Sequence, residues 1–103
     1  MEVQLKKGLL DTLILSTLRR EDSYGYKIVQ DIQEVMPLSE STLYPVLRRL
    51  EGGGCLKTYT RAYNGRLRKY YSITRIGQRK IDLFLEDWQL MENVYRFIKE
   101  RNI

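Results

Sequence analysis

Asn64-Gly65, flanked on each side by a run of strand-forming residues, constrains this chain more than any other feature. Asn-Gly is the strongest short signal for a two-residue β-hairpin, because both turn positions need a positive φ. If these two residues are the turn, the register follows. Tyr63 faces Arg66, Ala62 faces Leu67, Arg61 faces Arg68 and Thr60 faces Lys69. Tyr59 then faces Tyr70, Thr58 faces Tyr71 and Leu56 faces Ile73. One face carries Leu56, Ala62, Leu67, Tyr71 and Ile73, which suits a core. The other carries Lys57, Arg61, Arg66 and Arg68 with Tyr59, Tyr63 and Tyr70. Arg61 opposite Arg68 is unfavourable alone, since like charges directly across strands repel. An anion between them would relieve it.

The rest of the chain reads as helices. Leu5, Leu9 and Leu13, beside Leu10, Ile14 and Leu18, form adjacent stripes at spacing four over a helix from Leu5 to Leu18. Glu21-Asp22-Ser23 is a polar break with N-cap chemistry. A second helix follows over Tyr24–Val35, with Tyr24, Ile28, Ile32 and Val35 on its apolar face, and Pro37 stops it. Pro45 limits where the third helix starts, because proline is tolerated in the first turn, where N–H groups lack partners. That puts the cap near Ser41 or Thr42 and the end near Glu51, where Gly52-Gly53-Gly54 supplies a C-terminal stop. Thr74 caps a long last helix running to near Lys99. Along it Ile81, Phe84, Trp88, Met91, Tyr95 and Ile98 recur at spacings of three and four, a heptad seam. Leu83, Leu90, Val94 and Phe97 form a second stripe beside it.

Charge is polarised along this order. Of 18 Lys and Arg, ten lie between Arg48 and Lys80, where Glu51 is the single acid. The middle third is therefore about +9 and the flanks together about −4, a distribution suited to holding a polyanion. With no histidine and the single cysteine Cys55, the chain has no Ser-His-Asp or Cys-His machinery and no internal disulfide. No other residues group into a catalytic site, and no metal or cofactor is implied. No apolar run is long enough to span a bilayer, and the charged N-terminus lacks a signal-peptide block, so the expected location is the cytoplasm.

Three short helices, a two-stranded basic hairpin and a long helix make a mainly α fold with one β-hairpin. The layout is a winged helix-turn-helix over residues 1–73 with a C-terminal dimerisation helix over residues 74–103. The third helix begins with small polar residues and ends in arginines, which suits a major groove. The candidate DNA contacts are Lys27, Ser39, Ser41, Thr42, Tyr44, Arg48 and Arg49, with Arg61, Arg66, Arg68 and Lys69 of the hairpin. Other readings are a winged helix used for protein assembly, and single-stranded or RNA binding through the tyrosine-rich hairpin face.

At these residues the chain resembles the PadR family of bacterial transcriptional regulators. The resemblance is carried by Tyr24-Gly25-Tyr26, Ser41-Thr42-Leu43-Tyr44-Pro45, Leu47-Arg48-Arg49-Leu50-Glu51 and Gly54, then Arg68-Lys69-Tyr70-Tyr71, Thr74 and Gly77. It implies a homodimer formed through the C-terminal helix, binding a palindromic operator in double-stranded DNA as a repressor. It also implies that Tyr24, Ser41, Thr42, Tyr44, Arg48 and the hairpin basics lie at the DNA. The single C-terminal helix is similar to the compact branch of the family, and Ser41 stands where the family often has glycine. The expected dimerisation residues are Ile81, Phe84, Trp88, Met91, Tyr95 and Ile98. Trp88 resembles aromatics that compact members place at the dimer centre, where a pocket takes planar aromatic effectors. A tryptophan filling the dimer core is the alternative.

Overall fold

The computed structural model describes the backbone of residues 3–102 and the side chains of residues 8–102. The order is α1 (Val3–Thr17), α2 (Gly25–Gln33), α3 (Glu40–Gly52), β1 (Leu56–Tyr63), β2 (Arg66–Ile73) and α4 (Arg75–Arg101). The fold is the predicted mainly helical one with a single antiparallel hairpin. Leu5 of the first predicted stripe lies outside the described side chains.

The hairpin has the register expected from its turn, from Tyr63↔Arg66 out to Leu56↔Ile73. Asn64 (φ 50°) and Gly65 (φ 78°) both take the left-handed conformation that a tight twisted turn needs. One contact was not legible in the sequence: Ser23 bridges the free edge of β2. Its N–H donates to the Tyr71 carbonyl (3.2 Å), and the Tyr71 N–H donates back (2.8 Å). The segment before α2 thus acts as a one-residue third strand. Ser23 is therefore not the cap of α2; Tyr24 holds that position, with no side-chain hydrogen bond.

The core is a helical trihedron. Ile14, Leu15 and Leu18 of α1, Ile28 and Ile32 of α2, and Leu43, Leu47 and Leu50 of α3 are buried almost completely. Leu56 and Tyr71 of the hairpin and Ile81 of α4 close it. Val35 was expected on this face but is exposed, because α2 ends at Gln33. Val35 and Met36 both donate to the Ile32 carbonyl in the closing turn, and Val29 takes the core place instead. The Gln33 amide donates to the Leu38 carbonyl (2.7 Å) and fixes the turn leading into α3.

α3 starts earlier than Pro45 suggested. Ser39 is its N-cap, and its hydroxyl accepts from the Thr42 N–H (3.3 Å). Pro45 is consequently the sixth residue of the helix rather than part of its first turn. The carbonyl left without a partner is that of Ser41, an exposed residue that water can reach. The C-terminus closes with Cys55 N–H on the Leu50 carbonyl and Gly54 N–H on the Glu51 carbonyl. Gly54 at φ 79° makes that paired arrangement possible.

α4 is anchored at its start. The Thr74 hydroxyl accepts from the Gly77 N–H (3.2 Å) and donates to the Gly54 carbonyl (2.6 Å). A Cβ at Gly77 would sit 2.5 Å from the Cys55 carbonyl oxygen and 2.8 Å from Ile73 Cγ1. The absence of a side chain there lets α4 leave the hairpin base.

Candidate nucleic-acid interface

The N-terminus of α3 presents three hydroxyls together. Ser39 Oγ lies 3.0 Å from Ser41 Oγ and 3.1 Å from Thr42 Oγ1, all exposed. The helix dipole adds positive partial charge at this end. One turn on, Tyr44 is half-exposed and its ring lies on Gly25; a Cβ there would be 2.8 Å from Tyr44 Cζ. Gly25 follows Tyr24, so the first turn of α2 meets the exposed face of α3 at this contact. Arg48, one turn beyond Tyr44, is exposed. Its charge acts on the Tyr71 phenol. Burial raises that pKa most, with Tyr44 and Glu51 adding to it, and Arg48 works against them.

From Tyr24 the surface continues onto the hairpin through stacked rings and guanidinium groups. Arg68 Cζ lies 3.8 Å from the Tyr24 ring centroid and 3.8 Å from that of Tyr63. Tyr24 meets Tyr70 edge to face at 5.7 Å, and Tyr70 stacks on Tyr59 at 5.5 Å. Arg61 Cζ lies 5.5 Å from the Tyr70 centroid. The Tyr59 hydroxyl donates to Asp22 Oδ2 (2.7 Å), and that bond holds its pKa above the ordinary phenol value. Tyrosine faces thus lie beside both members of the Arg61–Arg68 pair, which eases the repulsion between them. The register had placed these tyrosines beside the arginines, so this stacking was legible; the part played by Tyr24 was not.

Three candidate contacts sit differently from expectation. Arg49, although its side chain stays 39% exposed, donates through Nη1 and Nη2 to the two carboxylate oxygens of Asp11 (2.9 and 2.6 Å). Its guanidinium takes part in a structural pair in the free protein. Lys69 lies on the opposite hairpin face from Arg61, Arg66 and Arg68, with Nζ 5.6 Å from the Tyr71 centroid. Lys27 pairs with Asp31 one turn along α2 (3.3 Å). Arg66 is exposed beside the turn, in a hollow with Tyr63, Asn64 and Leu67.

Asp11 is the buried acid that sequence reading missed. Its carboxylate is 5% exposed and also takes Lys80 Nζ of α4 (3.4 Å), so one anion ties α1, α3 and α4. Burial pushes its pKa up, but the hydrogen bonds and charges of Arg49 and Lys80 outweigh this and hold it below the ordinary value. Arg49 lies 38 residues away and Lys80 lies 69 away, so no sequence spacing signals the cluster.

The predicted dimerisation seam divides. Ile81 is 2% exposed and belongs to the core of its own chain, which removes it from the seam. Phe84 is half-buried, 4.0 Å from where a Gly8 Cβ would be, and stacks on Trp88 at 6.1 Å. From Trp88 (40% exposed) through Met91, Tyr95 (64%) and Ile98, the seam is open, as are Leu83, Leu90, Val94 and Phe97 beside it. Among the described residues, no helix is long and apolar enough to cross a membrane.

Three packed helices, a hairpin hung on the last of them and a strand contact before the second define a winged helix-turn-helix DNA-binding fold. Known proteins narrow this further. Residues 14–83 match the model of the transcriptional regulator PadR-like family, and the chain belongs to that family. A Streptococcus mutans protein of solved structure is 39% identical, with 94% of this chain and 92% of that one covered and a TM-score of 0.82. A transcriptional regulator from Clostridium thermocellum is 36% identical over 90% of this chain and 95% of its own, with a TM-score of 0.79. Bacillus subtilis PadR, solved in complex with operator DNA, is 26% identical over 75% of this chain and 45% of its own, with a TM-score of 0.70. The protein is a transcriptional regulator, not an enzyme.

Proposed function

We propose that this protein binds a palindromic operator in double-stranded DNA as a homodimer and represses transcription. The observation that carries this reading is the continuity of one surface. The hydroxyl cluster of α3 is followed one turn on by Tyr44, whose ring lies on Gly25, and the adjoining Tyr24 meets Arg68 of the hairpin. In this reading Ser41, Thr42, Tyr44 and Arg48 face the major groove, where hydroxyls and a guanidinium can meet base edges. Ser39 and Lys27 lie over flanking phosphates, and Tyr24 sits between α3 and the hairpin on the same surface. Arg61, Arg66, Arg68 and Lys69 bring the hairpin to the adjacent backbone or minor groove. The complex of Bacillus subtilis PadR with operator DNA favours the same use of the fold here.

Residues 74–103 serve the dimer. A stripe of exposed apolar side chains from Trp88 to Ile98 is more than a comfortable monomer leaves in water. Two-fold pairing through it would set two α3 helices for half-sites about one DNA turn, ~34–36 Å, apart. A hollow of about 610 Å³ beside Trp88, Met91 and Tyr95 is a candidate seat for a planar aromatic effector between subunits. Trp88 as plain dimer packing is the alternative.

Selection of genomic fragments by the purified protein tests the function. Enrichment of a two-fold symmetric motif upstream of genes is expected. Recovery of fragments without a shared motif would contradict sequence-specific binding.

A further inference from the structure

The stacking around Arg68 has no counterpart among the other hairpin arginines. Its guanidinium carbon is 3.8 Å from two ring centroids, Tyr24 and Tyr63. These rings come from opposite edges of β2: Tyr63 from β1, and Tyr24 from the segment that Ser23 bridges to Tyr71. Both flat faces of the guanidinium are therefore covered, one from each side. The N–H donors of arginine lie in its plane and point outward from its edge. Among the described residues no carboxylate pairs with that edge, and the neighbouring acid, Asp22, is engaged by the Tyr59 hydroxyl. The Tyr70 side chain is hydrogen-bonded to this guanidinium but no acid holds it, and the donors that remain on a planar fork held by its faces match the geometry of a phosphate.

We propose that Tyr24 and Tyr63 are positioning residues that clamp Arg68 as a pre-set, edge-on phosphate fork, and that Tyr24 acts on DNA through this clamp rather than by touching it. The proposal rests on the duplex-binding reading above and adds the division of labour within it. Arg61 touches a single ring at 5.5 Å, and Arg66 has no stacking partner among the described residues, so both keep the freedom that Arg68 has lost. The clamp also joins the helix-turn-helix to the hairpin: Tyr24 begins α2 and its neighbour Gly25 lies under Tyr44 of α3. The angle between recognition helix and hairpin is thereby fixed before DNA arrives, which lowers the ordering cost of binding.

The test is a double-mutant cycle on a selected duplex, using wild type, Tyr24→Phe, Tyr24→Leu, Arg68→Ala and Tyr24→Leu with Arg68→Ala. Phenylalanine keeps the ring, so Tyr24→Phe should bind as wild type does. Losing one phosphate contact lowers the salt slope by about 0.9 and weakens binding about fivefold near 0.15 M salt. Arg68→Ala should show both effects, Tyr24→Leu should weaken binding similarly, and the double variant should lose no more than Arg68→Ala alone. Multiplying losses would mean that Tyr24 contacts DNA itself and would overturn the clamp, as would Tyr24→Leu binding like wild type. So would Tyr24→Phe losing as much as Tyr24→Leu. A second readout needs no DNA. Ring currents from two tyrosines should move the Arg68 Nε–H proton resonance upfield in the free protein, and Tyr63→Leu or Tyr24→Leu should each return it about half of the way or more. An unshifted resonance in folded wild-type protein also overturns the clamp. A shifted resonance in a protein that binds no selected duplex would sink the functional reading and keep only the stacking.

Discussion

Gly77→Ala reverses the usual sign of a glycine-to-alanine change in a helix. Alanine in place of glycine normally stabilises a helix by about 0.5–1 kcal/mol. At Gly77 the new methyl would sit 2.5 Å from the Cys55 carbonyl oxygen and 2.8 Å from Ile73 Cγ1. One of these neighbours is backbone. It also accepts the Thr74 N–H at 3.0 Å, so it cannot retreat without loosening the cap of α4. Overpacking of this kind costs about 1–3 kcal/mol. Set against the helical gain, the net loss is about 1–2 kcal/mol, or a fall in Tm of roughly 5–15 °C for a domain of this size. Gly8→Ala is the internal control. Its methyl would meet only Phe84 Cε2 at 4.0 Å, an ordinary contact, so it should raise Tm. Calorimetric melts of the three proteins at one fixed concentration decide it. If Gly77→Ala melts at or above the wild-type temperature, the packing argument at the base of α4 is wrong.

Asp11→Asn should cost about 2–3 kcal/mol at neutral pH, less than a fully buried pair because Arg49 and Lys80 keep contact with solvent. The Asp11 pKa is lowered by folding, so its contribution is complete above the ordinary carboxylate range and fades as pH falls through its lowered value. Urea unfolding should therefore show the gap between wild type and Asp11→Asn shrinking in acid; an equal gap at pH 7 and pH 3 would refute the assignment. Sedimentation of the wild type should show a dimer at micromolar concentration, and Met91→Glu with Tyr95→Glu should give a folded monomer. A wild-type monomer would remove the dimer reading. Trp88 fluorescence should be quenched saturably by planar aromatic compounds if the α4 hollow is an effector seat, and Trp88→Ala should abolish their binding. Unsaturable quenching makes Trp88 a packing residue alone.

Local chemistry was the legible part of this chain. Asn64-Gly65 fixed every pair of the hairpin, because a two-residue turn leaves one register and each strand then follows by alternation. Thr74 and Gly54 were readable for the same reason: a cap depends on residues three or four positions away. Most of the misreadings involve distance, and the rest fall at helix ends. Ser23 pairs with Tyr71 across the fold through backbone alone, which leaves no side-chain pattern to detect. Arg49 looked like a free helix-end cation because its partner, Asp11, lies on another helix. Ile81 and Trp88 belong to one continuous heptad pattern, yet the first is core and the second open. Periodicity reports which side of a helix is apolar and not which body covers it. Val35 was misplaced because α2 stopped short of it, and helix ends are where pattern is weakest.

In the proposed function the hairpin and α3 hold duplex DNA by phosphate and base contacts. Titration of the purified protein with a selected operator duplex, a scrambled duplex and the matching single strand, across a range of salt, tests it most directly. Binding should be tightest to the operator and weakest to the single strand. The operator slope of log affinity against log salt should be about −0.9 for each phosphate neutralised. Arg61→Ala with Arg68→Ala should flatten that slope for both duplexes, while Arg48→Ala should narrow the gap between operator and scrambled duplex by about 1–3 kcal/mol. A salt-independent affinity, or single strand bound as tightly as operator, would contradict it.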